Sequence, residues 1–146
     1  MALFTAKVDY ALRALLDLAA QPSGRPTQSR EIASRQDIPE SYLNQLLVVL
    51  RRAALVRSVR GAAGGYVLGR PPHLLTVADV VSALHGSELL GEVTGDGPAV
   101  PAGWVLRNFY NRLNETVRRE LEATSLADLA AEVHRLDEAQ SLMLGL

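Results

Sequence analysis

The 146-residue sequence predicts a mainly helical chain carrying one small β-ribbon, and three observations lead there. Leu43, Leu46, Leu47, Leu50 and Ala54 recur at helical spacing after Pro39, which is the pattern of a single buried stripe. Residues 55–60 form a short β-type run, Gly61-Ala62-Ala63-Gly64-Gly65 turns it, and Tyr66-Val67-Leu68 returns, as in a tight hairpin. Leu106, Tyr110, Leu113, Val117 and Leu121 then repeat at alternating steps of four and three along one long helix. A winged helix-turn-helix followed by a long helix accommodates all three. The expected organisation is a winged helix-turn-helix domain over residues 1–86, a flexible loop over 87–103, and a dimerisation helix with a last helix over 104–146.

The first helix is expected over residues 3–20, with Tyr10, Ala11, Ala14, Leu15 and Leu18 inward and Lys7 and Arg13 elsewhere. The stretch Gln21-Pro22-Ser23-Gly24-Arg25-Pro26 ends it, since neither proline nor glycine favours continuation. Thr27 suits the N-cap of a short helix over 28–36 that buries Ile32 and Ala33. Asp37-Ile38 turns into the main helix, where Pro39 and Glu40 fit the first turn. Beyond the hairpin, Thr76 and Asp79 have capping-box spacing for a helix over 77–85 that Gly86 closes. The loop that follows holds Gly91, Gly95, Gly97 and Gly103, and loops of such length are more often functional than idle. The long helix is expected over 104–121, and Ser125 and Asp128 repeat the cap spacing for a last helix over 126–136.

On the main helix, Ser41, Gln45, Val48 and Arg52 form the stripe opposite the leucines, with Asn44 beside it. Short hydrogen-bonding side chains, a methyl-bearing contact and a cation suit base edges in a major groove, although an ordinary solvated face has a similar look. The hairpin tips the balance. Arg57, Arg60 and Arg70 fall within fourteen residues that hold no acid. Arg60 sits at the tip, where Gly61 and Gly64 let the backbone approach another surface. A guanidinium on a narrow tip suits the negative potential of a minor groove.

Charge agrees with this. Net charge is −1, yet residues 1–75 carry 10 Lys/Arg against 5 Asp/Glu and residues 76–146 carry 5 against 11. A basic half joined to an acidic half implies one end that meets polyanion and another that meets protein or ligand. An apolar share of 48% is ample for a core, and the chain has no cysteine, so it can hold neither a disulfide framework nor a thiolate-ligated metal. With no signal peptide or membrane-length apolar run, a cytoplasmic protein is expected. The near-3.5 repeat of Leu106, Tyr110, Leu113, Val117 and Leu121, flanked by Phe109, suits packing against a second copy, with docking on its own domain as the alternative.

These residues resemble the IscR/NsrR/CymR family of bacterial winged-helix regulators. The resemblance rests on Tyr10-Ala11-Leu12, Ile32-Ala33, Ser41-Tyr42-Leu43 with Gln45, Leu55-Val56 with Ser58-Val59-Arg60-Gly61, and Gly64-Gly65-Tyr66, and it runs through Ser125-Leu126-Ala127-Asp128-Leu129. It implies that Ser41, Tyr42 and Gln45 contact DNA from the recognition helix, that Arg60 enters the minor groove, that Lys7 touches phosphate, and that the long helix crosses its twin in a dimer. Many relatives carry three cysteines before the long helix and hold an iron–sulfur cluster. Here that loop has neither cysteine nor histidine, so cluster sensing does not carry over and no cofactor or metal is expected. Glu88, Glu92 and Asp96 read as solvated, and His85 and His134 as ordinary helix residues. Asn44 stands where some relatives have an acid.

The expected function is a homodimeric, sequence-specific DNA-binding regulator, a repressor on an imperfect inverted repeat. Lys7, Tyr42 and Arg57 would position it on phosphates while Ser41, Gln45 and Arg60 discriminate bases. A winged-helix module for protein–protein contact, with no specific DNA site, is the alternative. An enzyme is not expected, because no Ser/His/Asp ordering appears and the glycines at 61–65 lie in a hairpin instead of opening a helix. A small-molecule effector and a protein partner both remain compatible with the sequence.

Overall fold

The computed structural model describes residues 3–22, 24–86 and 100–145. Its elements run α1 (Ala6–Ala19), α2 (Ser29–Gln36), α3 (Glu40–Arg52), β1 (Val56–Val59), β2 (Gly65–Leu68), a 3-10 turn at Pro72–Leu74, α4 (Val77–His85), α5 (Pro101–Ala123) and α6 (Leu126–Met143). The fold is the expected one, mainly α with a small β-wing.

The core is built by the expected stripes. Leu43, Leu46, Leu47 and Leu50 of α3 are buried against Val8, Ala11, Ala14 and Leu15 of α1, Ile32 of α2, and Val80 and Val81 of α4, all in one cluster. Each such leucine contributes about 1.5–3 kcal/mol by leaving water. Ala54, expected to extend the stripe, is exposed. The helix stops at Arg52, and Ala54 takes a left-handed φ of 61° so that the chain can turn into β1. Its carbonyl lies where a Cβ on Gly69 would fall, which fixes glycine there.

A buried ion pair clamps α1 to α2. Asp17, 4% exposed, accepts from Nε and Nη2 of Arg35 at 2.9 Å each and from Gln36 Nε2 at 3.2 Å. That bond with the Asp17 carboxylate raises the Arg35 pKa above its ordinary value.

Helix boundaries depart from expectation in several places. The first helix begins at Ala6 because the Thr5 hydroxyl accepts from the Val8 amide. Thr27 does not cap α2. It is buried and exchanges two backbone hydrogen bonds with Tyr66, at 2.9 and 2.8 Å, adding a third edge to the ribbon. Gln28 takes the cap position instead, its amide donating to Glu31 Oε2 at 3.0 Å. The long helix starts at Pro101, well suited to a first helical position, so the last three residues assigned to the loop are helical. The last helix runs on to Met143, well beyond residue 136. Most of the expected loop, including Glu88, Glu92 and Asp96, lies outside the described residues.

The two capping boxes at Thr76/Asp79 and Ser125/Asp128 form as expected, and they meet. Val77 N donates to Thr124 O at 3.0 Å and Leu126 N to Leu75 O at 2.7 Å, so the starts of α4 and α6 are bridged. Through this seam Leu126 and Leu121 enter the same core as α3. Val117 and Leu121, expected at a dimer seam, therefore pack on the chain's own core. The preceding turns of α5 do not: Trp104, Val105, Leu106, Phe109 and Leu113 are exposed. No helix among the described residues is long and apolar enough to cross a membrane.

Candidate nucleic-acid interface

With its leucines inward, α3 presents Ser41, Asn44, Gln45 and Arg52 as exposed side chains, while Val48 is half-buried. Ser41, Asn44 and Gln45 make no side-chain hydrogen bond within the protein among the described residues, so their donors and acceptors are free to meet a ligand. Tyr42 is half-buried. Its ring meets Tyr10 edge-on at 5.7 Å, and the Arg13 guanidinium lies 5.0 Å from the Tyr10 ring centre. Arg13 also donates to the carbonyl of Gln36 and to Asp9 Oδ2, so the stack is braced from the end of α2 and fixes the Tyr42 ring beside the exposed face. Lys7 is already engaged. Its ammonium donates to the Leu84 carbonyl at 3.4 Å, at the C-terminal end of α4 where a cation is favoured.

The wing pairs Val56 with Leu68, Arg57 with Val67, Ser58 with Tyr66 and Val59 with Gly65. Val56 anchors its base in the core, and Arg57, Ser58, Val59 and Arg60 are exposed. Gly61 adopts φ +109° with open space around it, a conformation that L side chains rarely take. Gly64, expected to bring backbone close to DNA, is instead buried inside the turn. A Cβ there would stand 2.1 Å from the Val59 carbonyl oxygen, so the glycine is what lets the tip close and set Arg60. Gly65 is required because Thr27 backbone lies 2.5 Å from its Cβ position.

The structure adds residues that the sequence reading passed over. A cleft between the wing turn and the starts of α2 and α3 is bordered by Ser29, Arg30, Glu40, Gly61 and Tyr66. Arg30 is exposed and sits in the first turn of α2, where free amides and the helix dipole also favour an anion. Its proximity to the wing comes from the non-local Thr27–Tyr66 pairing, which no local pattern announces. Glu40 on the same cleft opposes an anion and confines the favourable path to the Arg30 side. Ser41, Gln45, Arg60 and Arg30 thus come from three elements held together by one core. Such an arrangement gives a polar helix face flanked by a cationic ribbon tip, which is suited to a major groove and the adjoining backbone and minor groove.

Comparisons with known proteins give the family. Residues 4–132 match the Rrf2 family, described as iron-dependent transcriptional regulators. The regulator CymR of Bacillus subtilis is 37% identical over 131 residues, covering 89% of this chain and 91% of that one. Its solved structure, titled as the global cysteine regulator of B. subtilis, superposes with a TM-score of 0.77 at 36% identity, covering 90% of this chain and 98% of the other. The structure of T. potens IscR gives 0.73 at 34% identity, covering 89% and 87%. A thiolate-held iron–sulfur cluster does not fit the residues present. The chain has no cysteine, and among the described residues no group of three His, Cys, Asp or Glu is placed to hold a metal ion. The chain belongs to the Rrf2 family of helix-turn-helix transcriptional regulators, as a winged-helix member without the cluster cysteines.

Proposed function

We propose that the protein is a homodimeric, sequence-specific DNA-binding repressor that acts in the cytoplasm on an imperfect inverted repeat, without an iron–sulfur cluster and without enzymatic activity. The observation that carries this reading is the pairing of the exposed Ser41–Asn44–Gln45–Arg52 face of α3 with the exposed Arg60 of the wing, both rooted in one rigid core. Ser41 and Gln45 read base edges, Arg60 the minor groove, and Tyr42, Arg57 and the newly placed Arg30 position the head on phosphates.

The dimer reading is supported by the apolar upper half of α5. Five large side chains, Trp104, Val105, Leu106, Phe109 and Leu113, are 41–67% exposed in the single chain, and exposed large apolar side chains grouped on one segment favour an interaction site. The seam of this proposal is Leu106, Phe109, Tyr110 and Leu113, shorter than the full repeat. Selection of bound fragments from random duplex, followed by titration of the winner against a scrambled duplex, tests the reading. A protein–protein module would bind both equally or neither.

A further inference from the structure

Beside the wing, the protein holds a concavity of about 450 Å³. Arg25 from the α1–α2 loop, Arg57 from β1 and Arg70 from the wing exit border it. Leu18, Val67 and Pro71 contribute hydrocarbon wall, and no carboxylate lines it among the described residues. Arg70 is paired with Asp79 at 3.3 Å. Arg25 and Arg57 have no ion pair or side-chain hydrogen bond among the described residues.

The unpaired guanidiniums of Arg25 and Arg57 border one hollow, and a bound anion there would compensate their charge. Arginine suits planar, two-oxygen recognition of carboxylate or phosphate. The volume lies within the roughly 300–1,000 Å³ range of small-molecule sites, and the wall is about evenly polar and apolar. A DNA phosphate on a duplex ridge would leave those apolar walls unused.

We propose that this hollow binds a small organic anion, a molecule bearing phosphate or carboxylate together with an apolar portion, and that its binding weakens DNA binding by drawing Arg57 away from the phosphate backbone. The regulatory half rests on the reading of Arg57 as a phosphate contact, whereas the binding half stands on the hollow alone.

Phenyl phosphate serves as the probe, with inorganic phosphate as its comparison, both titrated into the isotopically labelled full-length protein at constant ionic strength without DNA. Saturable shifts of the Arg25 and Arg57 side-chain N–H signals and of the Val67 and Gly69 amides are expected, with Arg52 and Arg60 unmoved. Phenyl phosphate should bind several-fold tighter than inorganic phosphate, and Arg25→Gln should weaken it about tenfold, the loss of one charge-assisted hydrogen bond. Non-saturating shifts shared by all exposed arginines, or equal affinity in Arg25→Gln, would overturn the site, and equal affinity for the two probes would overturn its organic specificity. In the second arm, saturating phenyl phosphate should weaken operator binding several-fold in the wild type, and the concentration giving half of that effect should be about tenfold higher in Arg25→Gln. Unchanged operator affinity with the hollow filled would overturn the regulatory half. Failure of the unliganded protein to bind any operator would instead refute the DNA reading and leave the first arm intact.

Discussion

Gly64→Ala isolates the geometry of the wing tip from its chemistry. The added Cβ would lie 2.1 Å from the Val59 carbonyl oxygen and 2.9 Å from both the Arg60 carbonyl carbon and the Gly61 oxygen. Carbon and oxygen approach no closer than about 3.3 Å without a cost, so the turn must open by about 1 Å. All three obstacles are backbone, so no side chain can swing aside. The bond from Gly64 N to Gly61 O, 3.0 Å long, and the Val59–Gly65 pairing are the contacts that give way. The base of the wing, held by Val56 in the core and by Thr27 on Tyr66, stays. Arg60 belongs to the displaced segment, so the mutant should lose up to the value of its contact. That is about 1–3 kcal/mol, or roughly 5–150-fold in operator affinity. Fluorescence anisotropy on a selected duplex at fixed salt reads the loss, and a thermal melt checks the core, which should remain folded. Wild-type affinity in Gly64→Ala alongside weakened binding in Arg60→Ala would refute the idea that the closed turn positions Arg60.

Four further outcomes follow from named contacts. Gln45→Ala should relax preference at one base pair in each half-site, read by selection from a randomised operator, whereas uniform weakening across sequences would make Gln45 a phosphate contact. Leu113→Asp should turn a dimer into a monomer in sedimentation with the α1–α4 core still folded, because an uncompensated charge in a dry seam costs several kcal/mol. A protein that stays dimeric would move the interface off α5. Asp17→Ala should lower unfolding free energy by about 2 kcal/mol in urea, less than for a fully buried pair because the Arg35 side chain is 43% exposed and water can solvate it. A cost near zero would show that the clamp between α1 and α2 is dispensable. Protein purified without oxygen should be colourless and free of acid-labile sulfide, since no thiolate exists to hold a cluster, and stoichiometric iron and sulfide would contradict this.

The α3 stripe, the glycine-tipped wing and both Ser/Thr-x-x-Asp caps were legible because each is written within a dozen residues, by period, by turn chemistry or by cap spacing. What escaped is non-local or ambiguous in kind. Thr27 looks like a cap and acts as a strand partner because Tyr66, 39 positions later, offers it two backbone bonds. Ala54 continues the α3 period, but the chain leaves the helix without a glycine or proline to announce it. The repeat along α5 is a single pattern serving two surfaces, with Val117 and Leu121 on the chain's own core and Leu106 to Leu113 facing outward. Periodicity registers burial, and it carries no record of which molecule does the burying. The far end of α6 lacks an apolar stripe and is helical through good helix formers such as Glu132, Leu136, Glu138, Ala139 and Gln140. Arg30 and Arg25 were missed for the same reason as Thr27, since only the folded chain brings them beside the wing.

The most direct test of the central claim is a titration of the wild-type protein with a selected inverted-repeat duplex and with its scrambled counterpart, over about 50–200 mM salt. The expected result is two chains per selected duplex, affinity at least about 10³-fold tighter than for the scrambled one, and a log–log salt slope of about −0.9 for each phosphate neutralised. Equal affinity for both duplexes, or binding indifferent to salt, would contradict the assignment of α3 and the wing as a sequence-reading head.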